Sequence, residues 1–76
     1  MHTPKLVAVE IPDRRFVVRV HNGRRLGTIF STEQGWTYQF DGTMREGPLC
    51  QDPLEALGIM QAVAEHEDMI EPAGHP

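Results

Sequence analysis

Cysteine is nearly missing from this chain: Cys50 stands alone among 76 residues. No intrachain disulfide can form, which leads to the expectation of a reducing, cytoplasmic setting. Long apolar runs are missing as well. None approaches the roughly 20 residues that a membrane-crossing helix needs. The opening "MHTPKLVAVEIPDRR" has neither the apolar stretch nor the small-residue cleavage site of a secretory signal. No membrane partner is expected. Paired metal-ligand spacing is absent among His2, His21, His66 and His75. "EHED" sets His66 beside carboxylates, but neighbouring helix positions diverge by about 100° and do not converge on one ion. A phosphate-cradling loop is absent too, because "HNGRRLG" runs from strand into strand, not into a helix. Cys50 has no histidine at a diagnostic spacing. It precedes a helix start, where a thiol pKa can fall, yet a structural role is the expectation. These absences predict no catalytic residue, no metal and no cofactor, and so a protein that is not an enzyme.

Basic charge is scarce, and what there is lies at one end. Lys5, Arg14, Arg15, Arg19, Arg24 and Arg25 face only Glu10 and Asp13 in residues 1–31, a local charge of +4. Residues 32–76 set Arg45 against nine carboxylates, a local charge of −8. A bipolar chain can be complementary to itself or offer partners two different faces.

The size allows one domain, with a core near the lower limit for independent folding: a chain this short buries only about 60% of its unfolded surface. A homodimer that buries a further face would add stability, and this option stays open. The reading is a single α+β domain over residues 1–70 and a disordered tail over 71–76. "KLVAVEI" (5–11) is a strand ending at the Pro12-Asp13 turn. "RFVVRVH" (15–21) is a second, with Phe16, Val18 and Val20 on one face and Arg15, Val17 and Arg19 on the other. Asn22-Gly23 predicts a two-residue type I′ turn into a third strand, "RRLGTIFS" (24–31). That turn pairs Val20 with Arg25, Val18 with Gly27 and Phe16 with Ile29. A one-residue bulge would instead pair Val20 with Leu26 and Phe16 with Phe30, and the sequence leaves both registers open.

"WTYQF" (36–40) alternates cleanly and turns at Asp41-Gly42. "TMREGPLC" (43–50) is a short, irregular edge strand broken by Gly47-Pro48. "DPLE" (52–55) then sets Asp at N-cap, Pro at N1 and Glu at N3, the chemistry of a helix start. The helix is expected to reach Asp68 or Met69. Its core stripe is read as Leu57, Met60, Val63 and Ala64, supported by Ala56 and Ile59. Gly58 costs about 1 kcal/mol relative to Ala, and one explanation is a close approach to the sheet. The predicted fold is a four- to five-stranded antiparallel meander with one C-terminal helix packed on one face.

Two clusters are candidates for function. Trp36, Tyr38 and Phe40 share one strand face and could stack unpaired bases if exposed. With only five aromatics in the chain, the core under the helix is their expected place. Arg15, Arg19, Arg24 and Arg25 crowd one hairpin and are the predicted partner-binding residues. A two-stranded ribbon with arginines can read a major groove, but a net charge of −4 and an isoelectric point near 5.4 oppose a nucleic-acid footprint. Charged hairpins also serve to block edge-to-edge pairing.

The layout "GRRLGTIFSTEQGWTYQFDG" followed by "DPLEALGIMQAVAE" resembles small proteins of phages and other mobile elements, among them anti-CRISPR proteins. In these a compact antiparallel sheet is closed by one helix with "EA" near its start, here Glu55-Ala56. The resemblance covers residues 14–68 and implies non-enzymatic work: binding a larger nucleoprotein or enzyme and blocking it. The β-β-β-α order also resembles the arm-binding domains of phage integrases, whose sheet enters the major groove; this chain departs from them in its net acidity. The expectation is a protein-binding inhibitor or regulator acting on a partner with an acidic surface. The alternative is a nucleic-acid-binding accessory protein using the hairpin 14–25.

Overall fold

A computed structural model describes residues 5–21, 23–43, 46–67 and 69–70. The expected tail 71–76 lies outside the described residues. Four strands, β1 (Leu6–Ile11), β2 (Arg15–Val20), β3 (Arg25–Thr32) and β4 (Gly35–Phe40), form one antiparallel sheet in the order β1-β2-β3-β4. One helix, α1 (Pro53–His66), follows and packs against β1, β3 and β4. The predicted α+β meander with a C-terminal helix is thus the fold. The expected edge strand over 43–50 is not formed: among the described residues this segment makes two isolated bridges, Trp36–Cys50 and Gln39–Glu46, with Gly47-Pro48 interrupting the ladder.

Register assigns the faces. Leu6 pairs with Val20, Ala8 with Val18, Phe16 with Ile29 and Ile29 with Tyr38. These residues lie under the helix, where Val18, Ile29 and Tyr38 are buried together with Ala56, Met60 and Ala64 of α1. The helix stripe is therefore centred on Ala56, Met60 and Ala64, one turn apart. Leu57, Ile59 and Val63 flank it half-buried, so the expected centre at Leu57 and Val63 is displaced. The small alanines let the helix backbone settle on the sheet, and the larger residues fill its sides.

The β2–β3 turn departs from the two-residue expectation. The Val20 N–H donates to the Arg24 carbonyl at 2.9 Å and the Gly23 N–H to the Val20 carbonyl at 2.7 Å. Three residues, His21 to Gly23, therefore make the connection; Asn22 lies outside the described residues. Arg19 pairs with Arg25, and a bulge between Val18 and Arg19 then restores Val18–Gly27 and Phe16–Ile29. The reason is in the core. Leu26 and Ile29 are three apart, so a regular strand would point them to opposite faces. The bulge absorbs one residue on β3 and buries both.

Asp52 caps the helix as its spacing predicts: its side chain accepts the Glu55 N–H at 2.8 Å. The helix ends at His66, before the expected Asp68 or Met69, with Glu67 as C-cap. Gly58 is exposed, and a Cβ there would meet nothing within 4 Å. Close approach to the sheet is thus not its role.

Candidate interaction surface

α1 covers one face of the sheet, and among the described residues no helix or strand packs on the other, although at its β4 end Thr37 is buried and donates to the Gly47 carbonyl. This bare face carries Val7, Val9 and Ile11 from β1, Arg15, Val17 and Arg19 from β2, Arg25, Thr28 and Phe30 from β3, and Gln39 from β4, as the pairings Val9–Val17, Val17–Thr28, Arg15–Phe30 and Thr28–Gln39 dictate. Val9 is 48% exposed and Val17 and Phe30 are half-buried. Large apolar side chains on an open face, rimmed by arginine, have the composition of an interface core and rim.

All four predicted arginines are exposed, but they do not form one patch. Arg15 and Arg19 stand on the bare face at either side of Val17 and make no ion pair among the described residues. Arg25 shares that face, yet its Nε meets the Asp41 carboxylate at 3.0 Å and its guanidinium donates to the Thr28 hydroxyl at 3.0 Å. Arg24 turns the other way and donates to the Met69 carbonyl at 3.0 Å, which ties the segment after α1 to the hairpin. Arg14 sits 5.5 Å from the centre of the Trp36 ring, a cation–π contact. Its backbone is left-handed at φ 57°, next to Asp13 at φ 70°, so the turn after β1 carries mild strain where it aims this guanidinium.

The aromatic strand belongs to the core. Tyr38 and Phe40 are buried and stack edge to face at 5.5 Å, while Trp36 is half-buried against Phe16 at 5.9 Å. Beside them a shallow cleft of about 250 Å³ runs between Tyr38, Gly47, Val63 and Glu67. Burial first, then Cys50 and Glu67, raises the Tyr38 pKa, so the phenol keeps its proton at neutral pH. The Cys50 thiol is also pushed up, by burial and then by Glu55 and Asp52. At this helix start the thiol is thus raised, not lowered, chiefly by its burial. Among the described residues, no three His, Cys, Asp or Glu side chains are grouped to hold a metal.

The uneven charge of the sequence becomes facial. Arg15, Arg19 and Arg25 share the bare sheet face, whereas Asp52, Glu55, Glu65 and Glu67 are exposed on the helix layer. The apolar part of the bare face was the feature sequence reasoning overlooked. Its signal was present in "LVAVEI", which is apolar at both odd and even positions. No family model, curated protein or solved structure matches the chain.

Proposed function

We propose that this protein is a non-enzymatic protein-binding module, an inhibitor or regulator that docks its bare sheet face on an acidic surface of a larger protein or nucleoprotein complex of a bacterial host. One observation carries the reading: among the described residues, Arg15 and Arg19 have no ion-pair partner and bracket the apolar Val17 and Phe30 on the sheet face opposite α1. An acidic partner would pair with both guanidinium groups while its apolar centre covers Val17 and Phe30. The style of resemblance to mobile-element inhibitors points the same way. The aliphatic content of this face favours a protein over a nucleic acid, whose phosphates and bases would leave Val17 and Val9 unmatched.

The test is capture of a partner from bacterial lysate by wild type and by the double variant Arg15→Glu, Arg19→Glu, beside a gel shift at low and moderate salt. Capture that is lost in the double variant and weakens with salt supports the reading. Capture unchanged by the double reversal overturns it. An arginine-dependent gel shift without protein capture moves the assignment to nucleic acid.

A further inference from the structure

The sheet has two edges, and among the described residues only one is closed. At β4 the chain folds back: Trp36 and Cys50 exchange backbone hydrogen bonds at 2.6 and 2.9 Å, and the Gly47 N–H donates to the Tyr38 carbonyl at 2.8 Å. At β1 the only cover among the described residues is one side chain. The Leu6 N–H points away from β2 and donates to Gln61 Oε1 at 2.8 Å, while the Gln61 amide donates to Glu65 at 2.7 Å. Strand alternation turns the backbone groups of Ala8 and Glu10 the same way. Between Leu6 and Val9, β1 carries no proline, no bulge and no charge; Glu10 is its one charged residue.

We propose that β1 pairs with β1 of a second copy, antiparallel about a two-fold axis at Val9, to make a continuous eight-stranded sheet. The register follows from three observations. First, it uses the outward groups of Ala8 and Glu10, each Ala8 bonding a Glu10 across the axis, and leaves the Gln61 cap on Leu6 in place. Second, it matches the bare face: Val9 meets its symmetry mate, and Val7 meets Ile11 on either side. Val9 is 48% exposed in the single chain, and pairing removes apolar area from water at every one of these positions. Third, it brings Lys5 of each copy toward the turn after β1 of the other, where Asp13 stands, both exposed, so unlike charges lie at the two ends of the ribbon. A parallel pairing would align like with like.

The helix side agrees. A groove of about 530 Å³ lies between Leu6, Ala8 and Phe16 below and Pro53, Leu54 and Leu57 above. Leu54, 78% exposed, stands over the same stretch of β1, so the two-fold brings both Leu54 side chains toward the joined strands. The contact is isologous and closes at two copies. It leaves Arg15, Arg19 and Phe30 free, and it does not depend on what they bind.

Sedimentation or light scattering of the wild type at tens to hundreds of micromolar should give twice the 8.6 kDa of one chain. Val9→Lys sets two ammonium groups against each other at the axis and should give the single-chain mass with an unchanged circular dichroism spectrum. Val9→Glu should do the same alone, and an equimolar mixture of the two variants should recover the doubled mass. Amide exchange at Ala8 and Glu10 should slow as wild-type concentration rises. A wild type of single-chain mass across the whole range overturns the proposal, as does a dimer indifferent to Val9→Lys, or an edge that takes up an added extended peptide while the protein itself stays monomeric.

Discussion

The Tyr38 ring lies directly on Gly47, so close that a Cβ at residue 47 would overlap its edge carbons. The same glycine takes the Thr37 hydroxyl on its carbonyl at 2.9 Å and gives its N–H to the Tyr38 carbonyl. Beside the Trp36–Cys50 pair, the closed edge of the sheet is therefore fastened at a residue without a side chain. Gly47→Ala must push the ring or the segment away, at about 1–3 kcal/mol, the usual cost of overpacking. Chemical denaturation should show the loss, and exchange of the Gly47 amide should speed up with it.

Two other glycines should respond in opposite directions. A Cβ at Gly27 would overlap the Gln39 carbonyl of β4, which is backbone and cannot step aside. Gly27→Ala should cost at least as much as Gly47→Ala. Gly58 has open space and an exposed helical position, so Gly58→Ala should stabilise by roughly 1 kcal/mol. Melting temperatures of the pair, measured side by side, check both signs.

Asp52→Ala removes the acceptor of the Glu55 N–H and should cost about 0.5–2 kcal/mol, while Asp52→Asn should retain most of the stability. Urea melts of both variants would separate the loss of a cap from the loss of a charge.

Stability should also fall on the alkaline side. Cys50 and Tyr38 are neutral acids whose folded pKa values are raised, chiefly by burial. The folded state holds both protons more tightly than the unfolded chain. Their contribution is complete below the unfolded values, about 8.5 for a thiol and 10 for a phenol, and is lost as pH climbs through that range. The melting temperature should decline from about pH 8 upward, with Cys50→Ala flattening the early part and Tyr38→Phe the later part, above about pH 10. Ellman's reagent should react with Cys50 slowly in the native state and at once in denaturant.

Local chemistry made the elements legible in the sequence. Asp52, Pro53 and Glu55 announce the helix start, and the alternation in "WTYQF" places Tyr38 and Phe40 in the core. What stayed illegible depends on contacts between elements. The bulge at Leu26 exists because the core needs both Leu26 and Ile29, a requirement that no turn signal carries. The arginine cluster looked like one site because its members are close in sequence. Asp41 and the Met69 carbonyl, both distant in the chain, divide it by taking Arg25 and Arg24. Gly58 misled in the other direction: a costly residue suggested a packing reason, and the structure contains none.

The strictly sequential order of the four strands has a kinetic consequence. Each strand pairs with its neighbour in the chain across a short turn, so loop-closure entropy is small at every step of building the sheet. The helix alone must span the chain, bringing Gln61 to Leu6 across 55 residues. Contact order is therefore low in the meander and high at the helix–β1 seam, and the hairpins should form ahead of the helix docking. Mutations at the β2–β3 pair Val18–Gly27 should slow refolding in proportion to the stability they remove. Gln61→Ala should mainly speed unfolding. Stopped-flow chevrons of both would place the seam late in the folding reaction; a refolding rate as sensitive to Gln61 as to Val18 would place it early.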